Sequence, residues 1–386
     1  MIYTEFQGEQ LSMLGFGTMR LPTCPDGSVD EARTAQMVDY ALSHGVNYFD
    51  TAYPYHDGQS EIAVGKALSK HPRESWKLAT KYPGHQLADT YYPAEIFEKQ
   101  LQKCGVEYFD YYLLHNVYAK SMEVYLDPKW GIIDYFKEQK RLGRIRHLGF
   151  SCHGSVDMME KFLAACGEDM EFCQIQLNYL DWTLQDAKEK CALLGRHNIP
   201  IWVMEPVRGG KLAKIPGEQA LHALRPDEST AAWAFRFLQD IPGVTVILSG
   251  MSDLAQMEEN IETFAQKKPL NETEKNTLLT LAEGMKASVP CTGCRYCCAG
   301  CPQGIEIPVL LQAYNEYQVD KMITITMAVE SLPEDKRAKD CIACGACVRS
   351  CPQNINVPEY LKKLAQIMKD VPTWETICRQ RAEAQP

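Results

Sequence analysis

The sequence predicts an α/β protein in which a (β/α)8 (TIM) barrel is followed by a small, mainly helical domain. Three observations support this prediction. Short apolar segments alternate with amphipathic helical segments from the N-terminus to about residue 285, eight of these apolar segments can be distinguished, and the composition changes beyond that point. Alternation of strands and helices with eight strands is typical of a (β/α)8 barrel. We therefore predict a barrel domain at residues 1–285 and a second domain at residues 286–386.

The predicted strands are short apolar runs separated by segments with apolar residues at helical spacing, such as Asp30–His44 and Pro93–Cys104. A doubly wound open sheet is the alternative, but it would place a glycine-rich turn after an early strand. No G-x-G-x-x-G is present, which favours the barrel. The eight strand predictions are Met13–Met19, Val46–Ala52, Lys77–Lys81, Tyr111–His115, Arg146–Cys152, Phe172–Tyr179, Pro200–Glu205 and Val244–Ser249.

The C-terminal region contains one cysteine pattern twice. Each run reads C-x2-C-x2-C-x3-C-P, with cysteines at 291, 294, 297 and 301 and again at 341, 344, 347 and 351. This is the bacterial iron–sulfur spacing, in which the fourth cysteine of each run ligates the other cluster. Zinc ribbons instead prefer paired C-x2-C knuckles. We therefore predict two [4Fe–4S] clusters, one bound by Cys291, Cys294, Cys297 and Cys351, and the other by Cys341, Cys344, Cys347 and Cys301.

The segment between the two runs is longer than the short β connections of a small two-cluster ferredoxin. Ile307–Val319 and Asp320–Ser331 have apolar residues at helical spacing, and Tyr360–Asp370 forms one more amphipathic pattern. A helical ferredoxin-like module is therefore expected. An additional cysteine inside the first run, Cys298, is predicted to be a bystander because four others already satisfy the spacing.

Composition and charge narrow the class of function. The 386-residue chain has a net charge of −10 and no basic patch, which argues against a nucleic-acid partner. No apolar stretch is long enough to cross a bilayer, and the N-terminus lacks the basic and apolar regions of a signal peptide. Sixteen cysteines without such a leader indicate metal ligation in a reducing compartment. We expect a cytoplasmic protein from an anaerobic or microaerobic setting.

Four polar residues lie at or just after the C-terminal ends of predicted strands, where barrels of this type place their active sites. Asp50, Lys81 and His115 end the second, third and fourth strands, and Tyr55 follows Asp50 by five positions. A lysine beside a phenol stabilises the phenolate and lowers its pKa. Tyr55 is therefore predicted to be a general acid or base on a carbonyl oxygen. Lys81 and Asp50 would tune it, and His115 would orient that oxygen.

On these four residues, in order, spacing and strand position, the chain resembles the aldo-keto reductase family over roughly residues 10–265. The resemblance implies hydride transfer between a nicotinamide cofactor and a small-molecule carbonyl or alcohol. It also implies contacts with the cofactor from five segments that resemble the family's. These contacts are Gly17 and Thr18 after the first strand, Ser151 after the fifth, Gln176 at the nicotinamide amide, Pro206, Arg208 and Gly209 over the pyrophosphate, and Gly250, Ser252, Gln256, Glu259 and Asn260 at the adenosine end.

Two segments depart from the family pattern. The Ser-Asn pair after strand five reads Ser151-Cys152, followed by His153. At the adenosine end, where the family often places an arginine or lysine for a 2′-phosphate, the sequence is Met251-Ser252-Asp253. An arginine fork suits a phosphate, whereas a carboxylate does not. An NAD(P)(H) cofactor is therefore expected without a preference for NADPH, and the departure favours NAD(H), or FMN in the same pocket.

The complete architecture resembles the iron–sulfur branch of the aldo-keto reductases. A nicotinamide transfers two electrons as hydride, whereas each cluster takes one, so a flavin would normally divide the pair. A ferredoxin, a flavodoxin or another redox protein is the expected electron partner. Two alternatives stay open, which are a flavin-gated dehydrogenase and a redox-sensing, cofactor-binding protein whose clusters are structural.

Overall fold

The computed structural model describes residues 1–86, 90–285, 289–320, 325–330, 332–373 and 376. Internal contacts divide the chain into two compact units. The predicted domain boundary adjoins residues 286–288, which lie outside the described residues. Among the described helices, none combines the length and the apolar character needed to cross a membrane. The first unit comprises Met1–Arg208, Leu212–Lys214 and Glu218–Leu279, and the second comprises Gly209–Lys211, Ile215–Gly217 and Thr280–Pro386.

The chain opens with an antiparallel hairpin that the sequence analysis missed. Strands β1 (Tyr3–Phe6) and β2 (Glu9–Ser12) are joined by Gln7 and Gly8, whose φ angles are both positive, as a tight hairpin turn requires. Phe6 is 4% exposed, and its ring packs edge-on against Trp202 with the centroids 5.0 Å apart. The aromatic and aliphatic side chains around Phe6 form one buried cluster inside the barrel. The hairpin therefore closes the end of the barrel opposite the predicted site.

Eight parallel strands form a closed barrel in the order β10-β3-β4-β5-β6-β7-β8-β9. Each of the eight predicted segments overlaps one strand, and the prediction for Val244–Ser249 has the observed bounds. The (β/α)8 prediction is confirmed. The barrel strands are β3 (Leu14–Gly17), β4 (Tyr48–Asp50), β5 (Lys77–Tyr82), β6 (Phe109–Val117), β7 (Ile145–Cys152), β8 (Cys173–Gln176), β9 (Ile201–Met204) and β10 (Val244–Ser249).

Amphipathic helices follow the barrel strands, and several begin at a side-chain cap. Asp30 accepts a hydrogen bond from the Arg33 backbone N–H at 3.0 Å, and Ser155, Ser229 and Asp253 cap later helices in the same way. The helices up to residue 285 are α1 (Glu31–Ser43), α2 (Gln59–Leu68), α3 (Pro93–Cys104), α4 (Ala119–Leu126), α5 (Ile132–Arg141), α6 (Val156–Cys166), α7 (Asp181–Leu184), α8 (Ala187–Arg196), α9 (Gln219–Leu224), α10 (Thr230–Leu238), α11 (Leu254–Ala265) and α12 (Glu272–Met285).

The cysteine-rich part is helical, as predicted. The prediction Ile307–Val319 corresponds to a helix one residue longer, and Tyr360–Asp370 to a helix that begins three residues earlier. Of the predicted helix Asp320–Ser331, positions 321–324 and 331 lie outside the described residues. The helices are α13 (Tyr296–Ala299), α14 (Ile307–Asp320), α15 (Ile325–Glu330), α16 (Ala346–Arg349) and α17 (Val357–Asp370).

Two halves of this module repeat one backbone pattern at a spacing of fifty positions. Helices α13 and α16 occupy equivalent positions, as do α14 and α17. The left-handed backbone positions also correspond. Gly293 (φ 72°) matches Ala343 (φ 55°), Arg295 (φ 66°) matches Gly345 (φ 73°), and Gly304 (φ 59°) matches Asn354 (φ 52°). Because a residue with a Cβ adopts this conformation only at a cost, its recurrence shows that both cysteine loops need the same turn.

Candidate functional site

Asp50 and Lys81 form a buried ion pair at the C-terminal ends of adjacent strands β4 and β5. The Lys81 Nζ atom lies 2.5 Å from Asp50 Oδ1 and 2.7 Å from the carbonyl oxygen of Thr51, and the two side chains are 1% and 3% exposed. Burial raises the pKa of Asp50, and the Lys81 charge opposes this rise. Burial likewise lowers the pKa of Lys81 against the pull of Asp50. The strand ends therefore hold a cation together with its counter-charge.

Tyr55 and His115 complete the predicted group of four, and the structure brings all four together. The Lys81 Nζ atom lies 5.1 Å from the centroid of the Tyr55 ring. The Tyr55 and His115 rings meet edge to face, with centroids 6.0 Å apart. Tyr55 begins a turn through Tyr55–Gly58 in which His56 and Asp57 both have positive φ angles, 50° and 53°. This strained turn fixes the direction in which the Tyr55 side chain projects from the loop after β4.

The pKa of Tyr55 differs from the expectation of a lowered value. Removal from solvent raises this pKa well above 10, and the negative charges of Asp50 and Glu205 raise it further. The main physical reason is the removal of the phenol from solvent, and the negative charge of Asp50, which faces Lys81, adds to it. At neutral pH the phenol is therefore protonated and able to donate.

His115 is held neutral and fixed through its backbone. Burial lowers its pKa well below 6.5, and the positive charges of His85 and Lys81 add to the effect. The Tyr125 hydroxyl donates to the His115 carbonyl oxygen at 2.7 Å. The next residue, Asn116, has a φ of 55°, and its backbone N–H donates to Ser151 Oγ at 2.7 Å. Ser151 thus stabilises the bend after His115. Its contact with the carboxamide of a nicotinamide cofactor stays a prediction.

A buried carboxylate that the sequence analysis did not single out, Glu61 of α2, supports the strand that carries Lys81. Glu61 Oε1 accepts hydrogen bonds from Thr80 Oγ1 at 2.6 Å and Gln100 Nε2 at 2.8 Å, and Oε2 lies 2.5 Å from Lys103 Nζ. Its negative charge also favours the charged form of Lys81. A glutamate on the apolar face of an amphipathic helix was the available signal, because such a position needs polar partners.

Asp181 is a second residue that the sequence analysis missed, and it links two predicted cofactor contacts. Its Oδ2 atom accepts from Gln176 Nε2 at 2.7 Å and from Asn178 Nδ2 at 2.6 Å. Arg208 Nε lies 3.1 Å from the same oxygen, and both charged side chains are at most 2% exposed. Asp181 therefore orients the amide of Gln176 and the guanidinium of Arg208. The nearby residue that could have indicated this role is Asn178, three positions earlier. Its Oδ1 atom accepts a hydrogen bond from the Asp181 backbone N–H at 2.8 Å.

Substitution Asp181→Asn should lower the free energy of unfolding by about 3 kcal/mol, because it removes a buried negative charge facing Arg208. It should also weaken nucleotide binding, because Gln176 and Arg208 lose their shared partner. Urea denaturation and titration of nucleotide fluorescence would measure the two effects. Asp186→Asn is the matched control, since Asp186 is exposed and its side chain makes no cap hydrogen bond. Equal stability of the two variants would contradict the assigned role.

The predicted adenosine segment forms a connected group at the start of α11. The Ser252 backbone N–H donates to Gln256 Oε1 at 2.9 Å, and Asn260 Nδ2 donates to Ser249 Oγ at 3.0 Å. The Ser229 hydroxyl donates to a Glu259 carboxylate oxygen. Asp253 accepts the Gln256 N–H at 2.8 Å and so places a carboxylate at the first turn of the helix. That carboxylate would repel an additional phosphate at this end.

The remaining predicted contacts lie in three places. Gly17 pairs with Asp50 across β3 and β4, and the Thr18 hydroxyl donates to the Asp50 carbonyl oxygen at 2.9 Å. Gly250 directly follows β10, and Pro206 follows β9. Gly209 has a φ of 66° and belongs to the second unit. Contacts of all these residues with a cofactor stay predictions.

Cysteines of the two runs meet in the second unit, and ligation of clusters across the runs stays a prediction. One small cavity, partly open to solvent, is lined by Cys301, Cys341, Cys344 and Cys347. Electrostatic interactions also link members of the other predicted set. Burial raises the pKa of Cys351, with a contribution from the charge of Cys291. A hydrogen bond with Cys298 and burial raise the pKa of Cys297, and the charges of Cys298, Cys294 and Cys291 raise it further.

These groupings suit a cluster better than a single ion. Across the described ranges, no three His, Cys, Asp or Glu side chains are placed to hold one metal ion. In a [4Fe–4S] cubane each thiolate binds a different iron, so its four ligands stand apart around a cavity. The residues present therefore fit the predicted group, and the combination of three cysteines of one run with one of the other in each set stays a prediction.

Comparison with known proteins identifies two families in this chain. The aldo/keto reductase family model matches residues 13–281, and the 4Fe-4S dicluster domain model matches residues 290–355. The chain is 25% identical over 302 residues to probable aldo-keto reductase 1 of Glycine max, covering 68% of this chain and 83% of the relative. It is 28% identical over 221 residues to the NADH-specific methylglyoxal reductase of Escherichia coli (strain K12), covering 52% of this chain and 65% of the relative.

Solved structures show the same relationship. The holo form of an aldo-keto reductase from Bacillus halodurans superposes with a TM-score of 0.57 at 26% identity, covering 71% of this chain and 93% of that structure. The family model covers well over half of the chain, and the second model covers the doubled cysteine pattern. The chain therefore belongs to the aldo/keto reductase family and carries a C-terminal 4Fe-4S dicluster domain.

Proposed function

We propose that the barrel interconverts a small-molecule carbonyl and the corresponding alcohol, with Tyr55 as the proton donor or acceptor. The observation that carries this proposal is the convergence of Tyr55, Lys81, Asp50 and His115 at the C-terminal ends of β4, β5 and β6. A phenol next to a cation and a neutral imidazole is an arrangement that can protonate a carbonyl oxygen during hydride addition.

In the reductive direction, hydride adds to the carbonyl carbon while the carbonyl oxygen takes the phenolic proton of Tyr55. A nicotinamide, when bound, supplies that hydride as its electron pair. Neutral His115 donates a hydrogen bond to the same oxygen and so fixes its position. The phenolate that remains regains its proton from solvent, and Lys81, which is paired with Asp50, lies 5.1 Å from the centroid of its ring. The balance is one carbonyl, one NADH and one proton giving one alcohol and one NAD⁺.

NADH is the nucleotide that this site favours. Asp253 caps the helix α11 at the adenosine end, where a 2′-phosphate would need a cation. A relative from Escherichia coli is described as NADH-specific, and it shares 28% identity over 221 residues with this chain. FMN in the same pocket is the alternative cofactor.

We further propose that the domain at residues 286–386 binds two [4Fe–4S] clusters and exchanges single electrons with a redox protein such as a ferredoxin or flavodoxin. The doubled cysteine pattern and the cavity lined by Cys301, Cys341, Cys344 and Cys347 support this proposal. Cys344 is exposed, and Ile342 beside it is 59% exposed, so a partner can approach that set from solvent. When bound, each [4Fe–4S] cluster would accept or donate one electron, and Cys301, Cys341, Cys344 and Cys347 would hold one of them.

An absorbance spectrum of the anaerobically purified protein tests both halves of the proposal. We expect a broad iron–sulfur band that bleaches on addition of NADH and needs a higher concentration of NADPH. A flavin shoulder would identify FMN as the group that divides the electron pair. A band that stays unchanged with either nucleotide would contradict coupling between nicotinamide and the clusters. Absence of turnover with any carbonyl or alcohol would favour the redox-sensor alternative.

A further inference from the structure

The two cysteine loops share one backbone pattern but differ in their exposure to solvent. Thr292 follows the first cysteine of the first run and is 5% exposed, whereas Ile342, at the equivalent position of the second run, is 59% exposed. Cys294 is partly buried, and its equivalent, Cys344, is the one exposed cysteine among the eight predicted ligands. The second loop is therefore the more accessible of the two.

The exposed position of the second loop holds an apolar side chain, and the covered position of the first loop holds a polar one. Ile342 is the most exposed large hydrophobic residue in the described part of the chain, and it lines the same cavity as Cys341 and Cys344. Because burial of apolar groups drives folding, folding alone would place the isoleucine in the covered loop. The reversed arrangement indicates that Ile342 is covered by a binding partner.

Two cationic side chains lie against the backbone that surrounds this cavity. A Cβ atom at Gly345, between Cys344 and the next cysteine, would lie 3.6 Å from Arg349 Nη1. A Cβ atom at Gly304 would lie 3.7 Å from Lys336 Nζ. Both cationic side chains are exposed, and neither forms an ion pair with another of the described residues. Their charges are therefore available to a partner.

The charge balance of this part of the chain is positive. Residues 332–370 contain seven Lys and Arg against five Asp and Glu, although the whole chain has a net charge of −10. On the N-terminal side of the loop, Glu334 is paired with Lys339, which leaves Asp335 as the exposed acid there. Unpaired cations around an exposed apolar residue match a partner whose own surface is acidic.

We propose that a small acidic protein that carries single electrons docks on this exposed loop. The docking surface has Ile342 at its apolar centre and Lys336 and Arg349 at its charged rim. Electrons leave or enter through the predicted ligand set that lines the cavity, which is Cys301, Cys341, Cys344 and Cys347. One electron passes in each encounter, so the carrier gains the electron that the cluster of this set loses, and the reverse reaction exchanges the two roles. The inference rests on the proposed function, because it requires clusters on these cysteines.

The test titrates the anaerobically purified full-length protein with flavodoxin, an acidic carrier that contains a flavin, and measures Kd by isothermal titration calorimetry. Both proteins have a negative net charge, so without a local cationic surface added salt would strengthen their association. We expect the opposite, because the docking surface attracts the carrier locally, and Kd should rise with ionic strength. In Lys336→Glu/Arg349→Glu the Kd should rise about tenfold or more. Ile342→Thr, which introduces the residue type of position 292, should raise Kd about fivefold.

Lys369→Glu is the matched control for the charge reversals. Lys369 is exposed and lies near the end of α17, about 16 Å along the helix from Pro358, which lines the cavity. Its Kd should stay within about twofold of the wild type. Iron content is measured for every variant, so that the loss of a cluster is distinguished from the loss of docking.

The docking surface and the proposed function can fail separately. No binding to flavodoxin, binding that strengthens with salt, or an equal Kd for the double variant and Lys369→Glu would overturn the surface and leave the clusters standing. An altered cluster reduction potential in the double variant with an unchanged Kd would also overturn it, because the cations would then act on the cluster alone. A dimer of the wild type that Ile342→Thr abolishes would identify a second copy as the occupant instead. Salt-sensitive binding that the double variant loses, without electron transfer to flavodoxin, would keep the surface and overturn the proposed electron exchange.

Discussion

Replacement of Tyr55 by phenylalanine is expected to lower kcat for carbonyl turnover by about 10²–10⁴-fold, the usual contribution of a positioned general acid. The substitution keeps the ring, and with it the contact with Lys81 Nζ at 5.1 Å and the edge-to-face contact with His115. Only the acidic O–H is lost. KM should change little, because the phenol acts mainly in the transition state. Steady-state kinetics with NADH measure both parameters.

Tyr53→Phe is the matched control for this prediction. Tyr53 lies two positions earlier, and its ring contacts the Lys103 ammonium at 4.5 Å, an interaction that the substitution keeps. We expect its kcat to stay within about twofold of the wild type, since an exposed or half-buried hydroxyl contributes little. The iron–sulfur spectrum should be unchanged in both variants. Carbonyl turnover retained in Tyr55→Phe would refute the proposed proton transfer.

Pairs of cysteine substitutions should distinguish ligation across the two runs from ligation within each run. The double variant Cys291→Ala/Cys351→Ala removes two ligands of one predicted set, so about half of the bound iron should remain. The double variant Cys291→Ala/Cys301→Ala removes one ligand from each set, and both clusters should be lost or degraded. Iron content, sulfide content and the EPR spectrum of the reduced protein measure the outcome.

Ligation within each run predicts the reverse result, because Cys291 and Cys301 would then belong to one cluster. Cys298→Ala is the control for the loss of a thiol next to a ligand, and it should keep the full iron content. A Cys298→Ala variant that loses half of its iron would show that Cys298 is a ligand. Such an outcome would replace one of the cysteines assigned from the spacing.

The barrel could be predicted because its strands are largely buried, mainly apolar runs, of which β10 is buried throughout, and a helical period follows them. The N-terminal hairpin was missed because its strands have four residues each, which is too short for the alternation of apolar and polar residues to be recognised. Repetition of the cysteine spacing predicted the second unit in the same direct way.

Residues of the candidate site could be predicted only where the residue type and its position near the end of a strand are enough to indicate a chemical role. Asp50, Tyr55, Lys81 and His115 follow from their strand-end positions. Asp181 and Glu61 could not be predicted, since their importance depends on partners distant in sequence, such as Arg208 and Gln100. The direction of the Tyr55 pKa was wrong for the same reason. The prediction considered the positive charge of Lys81. It omitted the negative charge of Asp50 and the removal of the Tyr55 phenol from solvent.

The fifty-position repeat has a consequence for how the protein is made. Under the proposed cross-ligation, the set containing Cys301 is complete only once Cys347 has been synthesised, and the other set only at Cys351. The three thiols at 291, 294 and 297 therefore leave the ribosome well before any cluster can form on four ligands. They are exposed to oxidation in that interval. Both metal centres then become possible within four residues of each other, so maturation of the nascent chain is a single late event.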